Sequence, residues 1–201
     1  MSRVVFLLEE YSMKVLLEGL LPRLVPCLPF LCVPHEGKQD LERSIPRKLR
    51  AWQEPGVRFV VVRDNDGGDC HALKARLAGL CDETGRQDTL VRIACQELEA
   101  WYLGEPKALA EVYNRPALTG LSSKARYRDP DAVQQPSAEL AKLVPEFQKV
   151  SGARLMGSRL SENGNFSHSF RAFIDGVRRV AVDFEEAQGQ AGARAGGRGE
   201  D

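Results

Sequence analysis

Four short apolar runs, separated by segments in which leucines recur at helical spacing, constrain the fold more than any other feature. The runs are Val4–Leu8, Leu28–Val33, Arg58–Val62 and Leu90–Ala94. Their nearly continuous apolar character is typical of strands that are buried on both faces, as in a parallel sheet. Alternation of strand and helix at this length predicts right-handed βαβ units. We therefore expect an α/β, Rossmann-like fold with a mainly parallel sheet of about four strands flanked by helices.

The second half of the chain predicts a helical C-terminal extension. Ser137 is a candidate N-cap for a helix near 138–148, and Phe170, Phe173, Ile174 and Val177 predict a last helix at roughly 168–182. Prolines recur between these segments, at 106, 116, 130, 136 and 145. We expect an α/β core over 1–104, a helical or irregular part over 105–182 packed on it, and a disordered Gly/Ala/Arg-rich tail over 183–201.

The charge balance excludes one class of protein. The chain has 28 Lys and Arg against 28 Asp and Glu, so its net charge is zero and bulk charge cannot drive nucleic-acid binding. No stretch reaches the ~20 apolar residues of a membrane helix, and the N-terminus lacks a signal-type cleavage site. We expect a cytoplasmic protein with no membrane partner. The five cysteines form no CxxC pair and predict scattered reduced thiols.

The most informative segment is VVVRDNDGGDC, residues 60–70. A buried strand runs into Asp64, Asp66 and Asp69, and Gly67 with Gly68 lets the backbone turn sharply. Two carboxylates at i and i+2 beyond a strand can point at one hard cation, and Mg²⁺ commonly uses one or two protein carboxylates. The alternative is a solvated turn, because Asp, Asn and Gly are ordinary turn residues.

The positions of the other acidic residues favour the metal site. Glu9 and Glu10 follow the first run, Lys38 lies in the loop after the second, and Glu97 with Glu99 follows the fourth. In a parallel sheet these loops open at one carboxyl edge, where open α/β folds bind their ligands. Carboxylates that converge there repel one another unless a cation is present. The sequence therefore predicts a site for Mg²⁺ or Mn²⁺.

Other known motifs with similar arrangements of aspartate and glycine residues are absent from the sequence. An EF-hand loop starting at Asp64 would need an acidic twelfth residue, which here is Ala75. A dehalogenase-type phosphatase would need Thr or Val where Gly67 stands. The sequence contains no GxxxxGK[ST] motif, which would indicate an ATPase. It also contains no GxSxG motif, which would indicate a serine nucleophile.

Over roughly residues 3–182 the chain resembles the bacterial domain-of-unknown-function family 4276, which is related to the Toprim fold of topoisomerases, primases and OLD-type nucleases. The segments that carry the resemblance are FLLEEYSMKVLLEGLLPRL, PHEGKQDLERSIPRKLRAW, VVVRDNDGGDC, RIACQELEAWYLGE, VPEFQKVSGAR and NFSHSF. The resemblance implies a Toprim-like sheet in which Glu9 handles protons and the pair Asp64 and Asp66 binds Mg²⁺.

Two functions from different classes follow. The first is a Mg²⁺-dependent phosphoryl-transfer or nuclease domain acting on a phosphodiester of nucleic acid, in a bacterial defence system. Its metal ligands would be Glu9, Asp64, Asp66, Asp69, Glu97 and Glu99, and its phosphate-stabilising cations Lys38, Lys149 and Arg154. The second is a non-catalytic subunit that binds nucleotide, nucleic acid or a companion ATPase. Glu10 and Met13 depart from the commoner family pattern and keep this second function open.

The zero net charge is a cancellation of opposite segments. Residues 64–111 carry ten acidic against five basic side chains, whereas residues 147–180 carry six basic against two acidic. This distribution suits a cation-binding acidic edge that faces phosphate-binding donors, among which we also count Asn165, Ser167, His168, Ser169 and Arg171. It predicts a local phosphate site rather than bulk electrostatic binding.

Overall fold

The computed structural model describes residues 2–196 and the side chains of residues 2–189. A four-stranded parallel sheet with the order β2-β1-β3-β4 forms its centre. The strands are β1 (Val4–Leu8), β2 (Phe30–Pro34), β3 (Arg58–Asp64) and β4 (Leu90–Ala94). Helices flank the sheet, and a helical part follows it, so the predicted fold class is confirmed.

Eight α-helices lie within the described residues. Three connect the strands: α1 (Tyr11–Leu24), α2 (Lys38–Ala51) and α3 (Cys70–Asp82). The other five follow the sheet, and they are α4 (Glu99–Leu103), α5 (Pro106–Val112), α6 (Pro136–Leu143), α7 (Lys149–Gly157) and α8 (His168–Gly196). Short 3₁₀ helices at Pro116–Ser123, Ala125–Tyr127 and Pro130–Ala132 link α5 to α6.

The sheet separates two hydrophobic cores. Side chains along a strand alternate between its faces, and β1 is buried on both. Val4, Phe6 and Leu8 pack into one core with apolar residues of α1 and α8. Val5 and Leu7 pack into the other with apolar residues of α2 and α3. The nearly continuous apolar sequence of β1 therefore supplies side chains to both cores.

The strand order creates a crevice at the edge where β1 and β3 end. From β1 the chain enters α1 on one face and returns to β2, whereas from β3 it enters α3 on the opposite face and returns to β4. Adjacent strands whose connections diverge in this way form the topological switch point at which open α/β sheets bind ligands. Leu8 pairs with Val62, so Glu9 lies beside the last residues of β3.

Strands β2 and β3 have boundaries that differ from the prediction. Strand β2 begins at Phe30 rather than Leu28, because Pro29 has no amide hydrogen to donate to the ladder. Strand β3 continues to Asp64, which pairs with Ala94 of β4. Asp64 is therefore fixed at the end of a strand instead of lying in a loop.

The C-terminal part corrects two further predictions. Ser137 is not an N-cap, because α6 already begins at Pro136, where the missing amide hydrogen costs nothing, and ends at Leu143. Helix α8 begins at His168 as expected but continues past 182 to Gly196, so the predicted disordered tail is wrong for 183–196. Val180, Ala181 and Phe184 are buried and extend the apolar stripe of the helix. Residues 197–201 lie outside the described residues.

A close helix contact positions the start of α7. Helices α1 and α7 cross at Gly19 and Gly157, where a Cβ atom on Gly157 would lie 2.7 Å from the carbonyl oxygen of Leu16. Glycine lets two helix backbones approach to a distance that any side chain would prevent. This contact holds Lys149, the first residue of α7, against the N-terminal end of α1.

Replacing Gly157 by alanine is expected to lower the free energy of unfolding by about 1–3 kcal/mol, because the added methyl forces the helices apart. Gly79 in α3 is a matched control, since a Cβ atom there meets nothing within 4 Å. Gly79→Ala should raise stability by about 0.5–1 kcal/mol through helix propensity. Urea unfolding of both variants measures the difference, and equal shifts would refute the close contact.

No helix in the range 2–196 is long and apolar enough to cross a membrane.

Candidate functional site

Glu9 and Asp64 meet where β1 and β3 end. The backbone N–H of Asp64 donates a hydrogen bond to Oε2 of Glu9 at 3.1 Å. Nε of Arg63 lies 3.6 Å from the same oxygen. Burial raises the pKa of Glu9, and the hydrogen bond from Asp64 partly opposes that rise. Glu9 is thus a half-buried carboxyl group held in one orientation with an elevated pKa, which suits a proton acceptor.

Asp64 is buried without a partner for one of its oxygens. Only 4% of the residue is exposed, and among the described residues no donor reaches its Oδ1. Burial, followed by the negative charges of Glu9 and Glu99, raises its pKa well above the usual value. A buried acceptor that lacks a donor costs about 1–3 kcal/mol, and more when it is charged.

Glu99 and Tyr102 extend this unpaired region. Glu99 opens α4 and is fully buried, and neither of its carboxyl oxygens has a hydrogen-bond partner among the described residues. Burial raises its pKa to about 7, against the opposing effect of the Lys149 charge. The hydroxyl of Tyr102, three residues along the same helix, is also unpaired, and burial raises its pKa well above the usual value.

Lys149 brings the positive charge to this cluster. Its Nζ donates to Oε2 of Glu10 at 3.3 Å, and the hydroxyl of Ser12 donates to Oε1 of the same carboxylate. Burial lowers the pKa of Lys149, but the nearby carboxylates of Glu99 and Glu10 outweigh it and the net shift is upward. The structure thus brings together Glu9, Asp64, Glu99 and Lys149, which the sequence had placed on four separate elements.

Asp66 and Lys38 form the exposed rim of the site. Residues 65–68 make a tight turn in which Asp66 and Gly67 adopt positive φ angles of 49° and 79°. The N–H of Gly68 closes it by donating to the carbonyl of Asn65 at 2.8 Å. Nζ of Lys38 lies 3.0 Å from Oδ2 of Asp66, so each predicted site residue neutralises the other. A pocket of about 280 Å³ opens here, lined by Asp66, Gly67, Gln96, Glu97, Gln134 and Gln135.

Two predicted metal ligands are engaged as helix caps instead. Oδ1 of Asp69 accepts hydrogen bonds from the N–H groups of His71 and Ala72 at 2.7 and 3.1 Å, and these bonds lower its pKa. Oε2 of Glu97 accepts from the N–H of Ser137 at 2.7 Å. Free N–H groups at a helix start attract carboxylates, and this satisfies both side chains.

Of the predicted phosphate-binding side chains, some are exposed and accessible to a ligand, whereas others are buried and already hydrogen-bonded. Arg154 is exposed on α7 and makes no ion pair within the described residues. Asn165, Ser167 and Ser169 are buried and hold the start of α8: Asn165 donates to the carbonyl of Trp101, and both serines donate to Asp131. The prediction that these three bind phosphate is therefore wrong, because their polar groups are already satisfied inside the fold.

Replacing Asp69 by alanine is expected to lower the free energy of unfolding by about 1 kcal/mol, because two N–H groups of α3 lose their acceptor. Divalent-ion affinity should stay within about twofold of wild type, since the carboxylate is committed to the cap. Urea unfolding and a Mn²⁺ titration measure the two quantities separately. A large loss of Mn²⁺ affinity with unchanged stability would restore Asp69 as a ligand.

The cluster fits a hard divalent cation in its donor atoms. Its unpaired atoms are oxygens, namely Asp64 Oδ1, both carboxyl oxygens of Glu99 and the hydroxyl of Tyr102, and Mg²⁺ and Mn²⁺ prefer such oxygen ligands. Among the described side chains, those of residues 2–189, no group of three Asp, Glu, His or Cys residues is placed so that it could hold a metal ion. Mg²⁺ keeps several of its waters, so two carboxylates suffice for its protein ligands.

Three contributors were missed by reasoning from sequence. The ion pair of Glu10 with Lys149 joins residues 139 positions apart, for which the sequence offers no signal. Asn65 fastens two loops, because its side chain donates to the carbonyl of Gly68 and accepts from the N–H of Gln96. Tyr102 could have been found, since a residue three positions after Glu99 on a helix lies on the same side.

Comparison with solved structures identifies relatives of the fold. The C-terminal region of the OLD protein of Xanthomonas campestris pv. campestris, solved with platinum phasing, aligns with a TM-score of 0.55 at 14% identity. That alignment covers 93% of this chain and 97% of the other. The same region solved with iodine phasing gives a TM-score of 0.56 at 15% identity, covering 92% and 98%. At these identities the similarity concerns the fold.

Among the curated proteins, no sequence matches this chain. The family described as a domain of unknown function, DUF4276, matches residues 8–178, which include every element from α1 to the first part of α8. The predicted resemblance to this family is therefore confirmed. The chain belongs to the DUF4276 family.

Proposed function

We propose that this protein is a Mg²⁺- or Mn²⁺-dependent phosphodiesterase of nuclease type that acts on nucleic acid. One observation carries the proposal: Oδ1 of Asp64 and both carboxyl oxygens of Glu99 are buried without hydrogen-bond donors among the described residues, and burial, followed by the charges of Glu9 and Glu99, raises the pKa of Asp64. A fold retains such costly unpaired acceptors when a ligand supplies the missing partner. A divalent cation is the ligand that oxygen acceptors of like charge require.

Asp64 and Glu99 would hold the ion, with Glu9 as a further ligand or as the proton acceptor. A bound Mg²⁺ or Mn²⁺ supplies Lewis acidity that activates water and offsets the charge developing on a phosphoryl group. Asp66 would join the ligands by releasing Lys38, which lies 3.0 Å away at the rim. Asp69 and Glu97 would act indirectly, because their helix caps fix the loops that carry the ligands.

The two protein groups suited to proton transfer and charge stabilisation are Glu9 and Lys149. Glu9 has a raised pKa and one carboxyl oxygen fixed by the Asp64 N–H, so it is oriented to take a proton from an attacking water. Within the described residues Nζ of Lys149 donates to the carboxylate of Glu10 at 3.3 Å, and a phosphate could displace that carboxylate. Its ammonium would then donate to a non-bridging phosphate oxygen.

The surface around Lys149 supports a nucleic-acid substrate. Arg154 and Arg159 are exposed on and directly after α7, and neither makes an ion pair within the described part of the chain. Tyr11, next to Glu10, is 53% exposed. Free arginines suit contacts to a phosphate backbone, and an exposed aromatic ring suits stacking by an unpaired base. The resemblance to a family related to the Toprim fold of OLD-type nucleases implies the same substrate class.

A second candidate is a non-catalytic subunit that works beside a companion ATPase in a bacterial defence system. The contact between Glu10 and Lys149 favours it, because that pair neutralises a lysine whose charge interacts with the buried carboxylates of Glu99 and Asp64. In this role the cation site would stabilise the fold or hold a nucleotide without hydrolysis. Metal binding without hydrolysis of any nucleic acid would select this second function.

Hydrolysis with and without metal tests the proposal. The full chain, freed of metal with a chelator, is incubated with single- and double-stranded DNA and RNA before and after addition of Mg²⁺ or Mn²⁺. We expect cleavage only with the ion, and a rise of the melting temperature by several degrees at millimolar ion. Cleavage that persists in excess chelator would contradict the proposal, as would the absence of any thermal shift together with the absence of cleavage.

A further inference from the structure

The loops after β3 and β4 bring two thiols into contact. Sγ of Cys70 lies 3.3 Å from Sγ of Cys95, although the residues are 25 positions apart. The prediction of scattered thiols is therefore wrong for this pair. Cys70 begins α3, directly after the turn that contains Asp66, and Cys95 lies between β4 and Glu97. We propose that Cys70 and Cys95 form a reversible disulfide that joins the two loops of the acidic edge.

Backbone hydrogen bonds already hold the two loops side by side. The N–H of Asn65 donates to the carbonyl of Ala94 at 3.3 Å, and the N–H of Asp66 donates to the carbonyl of Gln96 at 3.0 Å. A disulfide requires an S–S distance of about 2.05 Å, so the sulfurs must approach by only about 1.2 Å. Side-chain rotation of two partly exposed residues can supply that movement without separating the loops.

The pair is open to a small oxidant. Both cysteines are partly exposed, and they line a pocket of about 360 Å³ together with His71, Lys74, Arg92 and His168. The other three cysteines lack one of these features. Cys32 and Cys81 are buried, and Cys27 is exposed but has no other thiol in contact. Among the five cysteines, this pair alone combines access with a neighbouring thiol.

Hydrogen peroxide provides a balanced route to the disulfide. One cysteine, as thiolate, attacks a peroxide oxygen, so that an S–O bond forms, the O–O bond breaks and water leaves after protonation. The second thiol then attacks the sulfur of this sulfenic acid, and an S–S bond forms while the S–O bond breaks and a second water leaves. The two thiols lose two electrons and two protons, and the peroxide is reduced to two waters.

The crosslink would act on the loops that carry Asp66 and Glu97, directly after Asp64 at the end of β3 and directly before Glu99 at the start of α4. It closes a long loop of chain, so it should raise the melting temperature by about 5–10 °C and slow amide exchange at residues 65–69 and 95–98. A reductant such as dithiothreitol should reverse both effects. None of these readouts depends on metal binding or hydrolysis, so the inference and the proposed function can fail separately.

Mass spectrometry of the full chain tests the inference. Reduced protein is treated with hydrogen peroxide, its free thiols are alkylated, and it is digested with trypsin without reduction. We expect peptides 64–74 and 93–107 to appear joined, two hydrogens lighter than their sum, and Cys70→Ser to leave Cys95 open to alkylation. If Cys27 is oxidised while Cys70 and Cys95 are both alkylated, or if either pairs with another cysteine instead, the inference is overturned.

Discussion

Asp64→Asn is expected to lower metal-dependent hydrolysis by about 10³-fold, a loss of ~4 kcal/mol of transition-state stabilisation. The amide has the shape of the carboxylate but carries no charge, and its nitrogen cannot ligate a hard cation. The fold should persist, because the backbone N–H of residue 64 still donates to Glu9 and the side chain stays buried. The rise of melting temperature on adding Mn²⁺ should disappear as well.

Asp66→Asn is the matched control for this variant. Asparagine tolerates the positive φ angle of 49° at this position as aspartate does, so the turn should be retained. Because Asp66 lies at the exposed rim and pairs with Lys38, we expect a loss of hydrolysis no greater than about tenfold. Equal losses of hydrolysis in the two variants would mean that the burial of Asp64 does not make it a stronger metal ligand than Asp66. An Asp64→Asn protein that retains full hydrolysis would show that Asp64 takes no part in the reaction.

Glu99→Gln is expected to stabilise the metal-free protein at alkaline pH. The pKa of Glu99 is raised to about 7, so the folded state binds a proton that the unfolded state releases near 4.5. Wild type therefore loses stability as pH rises through this window, and the uncharged variant escapes that loss. The variant should be more stable by on the order of 3 kcal/mol at pH 8 and by less than about 1 kcal/mol at pH 5.

Urea unfolding in the presence of a chelator at the two pH values measures this difference. Glu97→Gln is the control, because its carboxylate caps α6 and its loss should cost about 1 kcal/mol at pH 8. Adding Mn²⁺ should stabilise wild type at pH 8 and leave Glu99→Gln nearly unchanged. Parallel loss of stability with pH in wild type and Glu99→Gln would show that Glu99 carries no burial penalty.

The sequence was sufficient to predict the sheet and the meeting of Glu9 with Asp64 at one of its edges. Apolar runs such as Val4–Leu8 are buried on both faces and admit little other than a central parallel strand. Once the strands are parallel, the residues that follow them must share one edge, which places Glu9 beside Asp64. Both conclusions follow from short apolar runs, because each run predicts a strand and parallel strands must end at the same edge of the sheet.

The ranking of the acidic residues could not be read from the sequence. In the sequence Asp64, Asp69, Glu97 and Glu99 are all acidic residues at or beyond the end of a strand. In the structure Asp69 and Glu97 cap helices, whereas Asp64 and Glu99 are buried with carboxyl oxygens that lack a hydrogen-bond donor in the described part of the chain. The difference depends on where α3 and α6 begin, and α6 belongs to the part of the chain that the sequence describes least well. Long-range pairs such as Lys149 with Glu10 depend on the packing of α7 against α1, which two glycines permit.

A crystal structure of the full chain soaked in Mn²⁺, with anomalous scattering recorded from the manganese, would show whether Asp64 and Glu99 bind the cation. We predict a peak within ligand distance of Asp64 and Glu99, about 2.0–2.3 Å from a carboxyl oxygen of each, with Glu9 adjacent. In the Asp64→Asn crystal that peak should be absent. A manganese bound instead at Asp69 or Glu97, or none at millimolar ion while both carboxylates remain unpaired, would contradict the account.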